Sequence, residues 1–327
     1  MVSNLLKFGY FFFAFCMIST TLFGQKNIHI EYYRNIHRAE LKIVDSLYGE
    51  ALTIYERAFK GVAFPFANDY YNAAVCSILT KNFDRSFLYL DKLVAKGLTM
   101  SVFDSAVFDP LKNQKKWRHF IKSYPSKRKK HLKSINRELR QEFELMKEQD
   151  QYFRKKEGTY EVYRDTISKI DSANAAKFLK IVEKYGFPDE QMIGIDNIYS
   201  IMPYDIVLIH NAQNASRYLQ MTIRNQLSAI LLQAVQEGKL SPENYASLED
   251  YATENQSYGS MAYIRVNGKL ESTLRSDDFA NNNRMKIGLG TRDELRRKVL
   301  FEERDKRFCF NNQAGILTIL GKVNLSK

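Results

Sequence analysis

Along most of this chain apolar residues return every three or four positions, the spacing that sets them on one face of a helix. From His37 to Lys60 the stripe is Ile43, Leu47, Ala51, Tyr55, Ala58 and Phe59, with Gly61 and Pro65 to stop it. A second helix is predicted over Asn68–Lys81, with Tyr70, Ala74, Val75 and Ile78 inward. A third is capped by Asp84, carries Phe87, Leu88, Leu90, Leu93 and Val94, and ends at Gly97. Ser101 to Leu111 reads as two short turns. Pro125 can open a further helix, because a first-turn proline loses no hydrogen bond. Leu132, Ile135, Leu139, Phe143, Met146 and Phe153 carry that helix to about Lys156, and Gly158 breaks it. Asp165 or Thr166 starts another, closed by Tyr185-Gly186-Phe187-Pro188. Helices over Pro203–Asn211, Ala215–Glu237 and Pro242–Asn255 follow, the last capped by Ser241, and one more starts after Thr291. Only Met261 to Val266 alternates as a strand does, and Asn267-Gly268 before Lys269–Glu271 marks a two-residue hairpin. The chain therefore reads as mainly α, with one β-hairpin.

With 327 residues, 45% of them hydrophobic and 13% aromatic, the chain can bury a large core and has room for two domains. Residues 1–24 have the three parts of a secretory signal: Lys7 in a positive start, an apolar run from Phe8 to Ile18, and Leu22-Phe23-Gly24 before a cut that leaves Gln25 first. That run is shorter than the roughly 20 apolar residues a membrane span needs. An exported protein, periplasmic or secreted, is expected. The expected organisation is a helical domain over 25–124, a basic connecting helix over 125–157, and a second helical domain over 158–327. The helix pair ended by Gly97 resembles a tetratricopeptide-type repeat of one or two units, without a clean second copy. Cys76 and Cys309 remain after the signal, and are expected as buried small side chains, not as a bridge.

Charge is concentrated in one place. The formal net charge is +12, or +11 once Lys7 is removed, and Lys112 to Lys133 holds ten basic residues and no acid. Lys127, Arg128, Lys129, Lys130 and Lys133 form its dense end. Such a run is first a solvated helix face, next a contact for an anionic membrane surface, and last a nucleic-acid site, since export favours lipid headgroups over phosphodiesters. Trp117, His119 and Phe120, set within it, are expected to anchor the helix to the core.

Motifs that would name a reaction are missing. There is no His-Glu-x-x-His and no Cys-x-x-Cys, and the five histidines stand apart, so neither zinc nor haem nor another cofactor is expected. A phosphate loop and a Gly-x-Ser-x-Gly elbow are lacking, and Gly288-Leu289-Gly290 follows no strand. His210 is the residue with chemistry, because its side chain can take and give a proton near neutral pH. Asp150, Gln151, Arg154, Asp171, Gln256, Tyr258 and Arg284 are the candidates for its surroundings. A structural reading stands beside that one: a hydrogen-bonded histidine, with Asp and Arg paired across two helices.

These residues carry a resemblance. Asp150-Gln151 with Arg154, then Asp171-Ser172-Ala173-Asn174 before Tyr185-Gly186-Phe187-Pro188, then Ile209-His210-Asn211, then Gln256-Ser257-Tyr258-Gly259-Ser260, then Arg284 before Gly288-Leu289 follow the order of a bacterial family known as domain of unknown function 6624. The match spans about 146–300. Tyr185 and Phe187 replace that family's His and Trp, no acid follows His210, and Met261 replaces a Gln. The resemblance implies a fold relation with altered polar positions, and no reaction. Two functions stay open: a binding or scaffolding module that meets a protein or peptide in the envelope on helical-repeat surfaces, and, as alternative, a hydrolase of an envelope substrate with His210 as base, Asp150 beside it, and Arg154, Gln256, Tyr258 and Arg284 as polar wall.

Overall fold

The structure is a computed structural model that describes residues 28–198, 202–213, 218–253, 257–260, 263–266 and 269–310. The expected signal at 1–24, Gln256, the Asn267-Gly268 turn and the tail beyond Phe310 lie outside these residues.

Helix α1 spans 28–44, α2 Tyr48–Gly61, α3 Ala67–Leu79 and α4 Phe83–Lys96. The expected single helix over 37–60 is thus two, split where Ser46 takes a positive φ of 60°. Asn82, not Asp84, caps α4: its side chain accepts from the Arg85 amide, satisfying one of the free first-turn donors. Gly97, at φ 117°, ends α4 as the spacing predicts. Helices α3 and α4 pack as a hairpin, and α2 and α6 extend the stack in the manner of helical repeats. Two 3-10 turns, Met100–Asp104 and Ala106–Phe108, and the short α5, Asp109–Lys112, lead into α6, Lys115–Ser134.

Pro125 lies inside α6 and does not open it. Nor does one helix run from Pro125 to Lys156. The chain breaks at Ile135, and α7, Arg137–Arg154, starts afresh because the Asn136 side chain accepts from the Leu139 amide at 3.0 Å while its own amide donates to the Met192 carbonyl at 2.7 Å. The short α8, Thr159–Val162, leads to α9, Arg164–Tyr185, which packs along α7. Then come α10, Glu190–Ile193, α11, Asp205–Gln213, α12, Tyr218–Gln236, and α13, Pro242–Ala252, capped by Ser241 as expected. Strands β1, Tyr263–Val266, and β2, Lys269–Ser272, pair antiparallel with Val266 opposite Lys269. Helix α14, Asp278–Lys286, had no stripe strong enough to predict it. Helix α15, Arg292–Arg304, opens on a capping box between Thr291 and Glu294.

One continuous hydrophobic core joins residues from Tyr32 on α1 to Phe310 near the end of the described chain. Helix α1 is the reason. The Tyr33 hydroxyl donates to the Val235 carbonyl at 2.7 Å, His37 meets Glu294 at 3.1 Å, and Lys298 meets Glu40 at 2.7 Å, both of that last pair buried. The boundary expected at 124/125 falls within α6. Phe120 is buried and Trp117 packs beside it, whereas His119 is exposed and anchors nothing. Both described cysteines are free thiols. No helix among the described residues is long and apolar enough to cross a membrane.

Candidate functional site

Three helices converge on one buried polar cluster. Asp150 and Arg154 sit one turn apart near the end of α7, so both point from the same face. Asp171 comes from α9 and His210 from α11. His210 Nδ1 lies 2.9 Å from Asp150 Oδ1 and 2.8 Å from Oδ2. Arg154 pairs with the Asp150 carboxylate at 3.1 Å, donates to the Asp150 carbonyl at 2.8 Å, and grips Asp171 with bonds of 2.7 and 2.8 Å to its two oxygens. The Gln151 amide adds a bond to Asp150 at 2.8 Å. The order of these groups is fixed from inside outward: the Asp150 and Asp171 side chains are 0% exposed, Arg154 7% and His210 11%. The histidine is thus the least buried of the four side chains.

The network explains its own charges. Two carboxylates this deep would repel each other and lose hydration, and a fork-shaped guanidinium between them offsets both effects. Burial still lifts the Asp171 carboxyl above its ordinary value, against the pull of Arg154. Arg154 loses some charge stability to burial, but its bonds to Asp171 and Tyr160 outweigh the loss and raise its pKa.

Asp150, Asp171 and His210 also bring one ligand atom each to within 4.8 Å of one another, the one described set that could hold a metal ion. No motif announced this set, because its members are spread over three helices and 61 residues of sequence. Arg154, however, already supplies positive charge to both carboxylates, which an incoming cation would have to displace.

The rest of the expected polar wall is placed elsewhere. Arg284 on α14 donates to the Gly290 carbonyl at 2.6 Å and to the Tyr258 carbonyl at 3.3 Å, and so holds loop backbone. Tyr258 packs edge-on against Tyr245, and its amide donates to Asp250. Gln256 lies outside the described residues. Of the basic set, Lys127 bonds Asp91 at 2.5 Å, and Arg128 bonds the Gly97 carbonyl and Asp196. Lys129, Lys130 and Lys133 are exposed.

A second polar place was not foreseen. A cavity of about 240 Å3 lies between α1, α3, residues 195–198 and 202–205, and the start of α13, with Glu40, Asp69, Glu190, Asp205 and Glu243 in its wall. No sequence spacing could reveal it, since each acid comes from a different segment. No protein-family model matches the chain, and no match is found among curated proteins or solved structures.

Proposed function

We propose that the chain is an acid–base catalyst of the hydrolase class, in which His210 draws a proton from water as that water attacks a substrate. The observation that carries the reading is the Nδ1 contact of His210 with a buried Asp150 that Arg154 and Gln151 hold in place. A carboxylate that accepts from Nδ1–H leaves Nε2 as the basic atom and stabilises the imidazolium once the proton arrives. The exported location and the kinship with domain of unknown function 6624 belong to the same proposal, and an envelope substrate would suit them.

A second reading, a binding or scaffolding module for an envelope protein or peptide or for an anionic membrane surface, is favoured by Lys129, Lys130 and Lys133. These three project from α6 while their neighbours Lys127 and Arg128 are engaged in ion pairs. Nucleic acid remains the least fitting partner. Hydrolysis of ester, phosphodiester and peptide substrates by the wild type, His210→Gln and Asp150→Asn proteins separates the two. The enzyme reading expects a loss of 100-fold or more in both variants, the usual worth of a positioned general base, and a 15N spectrum with the His210 proton on Nδ1. Equal rates in all three proteins would sink it.

A further inference from the structure

The cavity beside α1 gathers more acidic than basic side chains among the described residues. Five carboxyl groups line it. Glu40 is paired with Lys298 at 2.7 Å and Glu190 with Lys96 at 2.8 Å. The lysine that lines the cavity itself, Lys239, is paired with Glu237 at 2.8 Å, outside the wall. That leaves Asp69, Asp205 and Glu243 without an ion pair among the described residues, although Lys298 and Arg284 act on Glu243 electrostatically and partly offset its burial. Asp69 accepts only from the Tyr32 hydroxyl, and Asp205 Oδ2 from the Met202 amide at 2.9 Å.

Asp205 supplies the observation that points to a ligand. It is 3% exposed, lines the cavity, and its Oδ1 has no hydrogen-bond partner among the described residues. A buried acceptor left bare costs on the order of 1–3 kcal/mol, so a fold tolerates it where something else supplies the donor. Tyr204 and Phe66 add aromatic wall, and Ile36, Ile198 and Leu240 add aliphatic wall. A bare metal ion does not suit this place, because none of these carboxyls belongs to the described set whose ligand atoms converge. Spaced carboxylates on an apolar wall match separate ammonium or guanidinium groups on an alkyl chain.

We infer that this cavity is a binding site for a small organic cation, an alkyl diamine or an aminoalkyl guanidine, with Asp205, Glu243 and Asp69 as its counter-charges. Its volume is a little under the usual range for ligand pockets, roughly 300–1,000 Å3, which fits a ligand of this size. The site is separate from the Asp150–His210 cluster and does not depend on it. Burial raises Asp69, and lifts Asp205 and Glu243 to about 7, so binding at neutral pH should expel protons.

Titration calorimetry of the full chain at pH 7.5 with 1,4-diaminobutane and with agmatine tests this, beside 1,4-butanediol and the chlorides of calcium and magnesium. The expected result is saturable binding of at least one of the two cations and none of the diol, with an apparent enthalpy that changes with the ionisation enthalpy of the buffer. The Asp205→Asn/Glu243→Gln double variant should lose affinity tenfold or more while its thermal midpoint stays equal or rises. Three results would overturn the inference: no saturable binding of either organic cation, unchanged affinity in the double variant, or binding of the divalent ions in place of the organic ones.

Discussion

Arg154 is the residue on which the candidate centre depends. Its guanidinium is the cation between Asp150 and Asp171, so Arg154→Leu leaves two buried carboxylates facing each other and should cost about 3–5 kcal/mol, the price of an unpaired buried charge. His210→Gln removes one partner of Asp150 and keeps the guanidinium, and should cost only about 1 kcal/mol. Urea denaturation at pH 7 reads the contrast, and equal losses in the two variants would show that the network is not centred on the arginine. Asp205 gives a pH signature. Burial lifts its pKa to about 7, above the ordinary aspartate value of 3.8, so its contribution is fully present below about pH 4 and is lost as pH rises through 7. An Asn cannot ionise. Asp205→Asn should therefore match the wild type near pH 4 and exceed it at pH 8 by on the order of 2–4 kcal/mol, at about 1.4 kcal/mol per pKa unit. His210 was legible in the sequence through its side-chain chemistry, and Asp150, Arg154 and Asp171 as polar residues among those that carry the family resemblance. Arg284 has the same look but spends its donors on loop carbonyls, and no spacing distinguishes the two uses.

At the scale of elements, stops were easier to read than starts. Gly97 ends α4 because its φ of 117° suits glycine, and a Cβ there would meet the Ile195 carbonyl and the His131 ring. Gly97→Ala should cost about 1–3 kcal/mol from backbone strain alone, with the contact against Ile195 and His131 added. Thermal denaturation measures it, and a neutral substitution would mean the turn can open without loss. Starts depend on a side chain that must bend back to a particular amide, and the chain offers several candidates for each. Asp84 has the right chemistry for a cap, yet Asn82, two residues earlier, holds the Arg85 amide. Pro125 illustrates the converse: it is a good first-turn residue, but α6 begins ten residues before it and the turn of helix around it is kept. The break at Asn136 was hidden because the apolar stripe continues across it in the sequence, although only Leu139 enters the core and Ile135 is half-buried. Asn136→Ala should cost about 1 kcal/mol through the lost cap, the usual worth of such a residue.

At the scale of the whole molecule, residues far apart in sequence are joined by α1, which local periodicity could not show. A stripe reveals that a helix has a buried face and is silent on what covers it. Helix α1 lies against the α12–α13 corner through Tyr33 and against α15 through His37 and Glu40, so the first described helix and the last are parts of one core. The buried Glu40–Lys298 pair makes this testable. Lys298→Met strands Glu40 without its cation and should cost about 3–5 kcal/mol, while the Glu40→Gln/Lys298→Met double variant removes both charges and should recover most of that loss. Trp117 is the single tryptophan, on α6, and reports the helical-repeat half by fluorescence, whereas far-ultraviolet circular dichroism reports all helices together. If α1 binds the halves into one cooperative unit, the two probes give coincident unfolding curves and Lys298→Met shifts both by the same amount. Two independently folding halves would instead give the two probes separate transitions, and that outcome would restore the two-domain division that the helical pattern alone suggests.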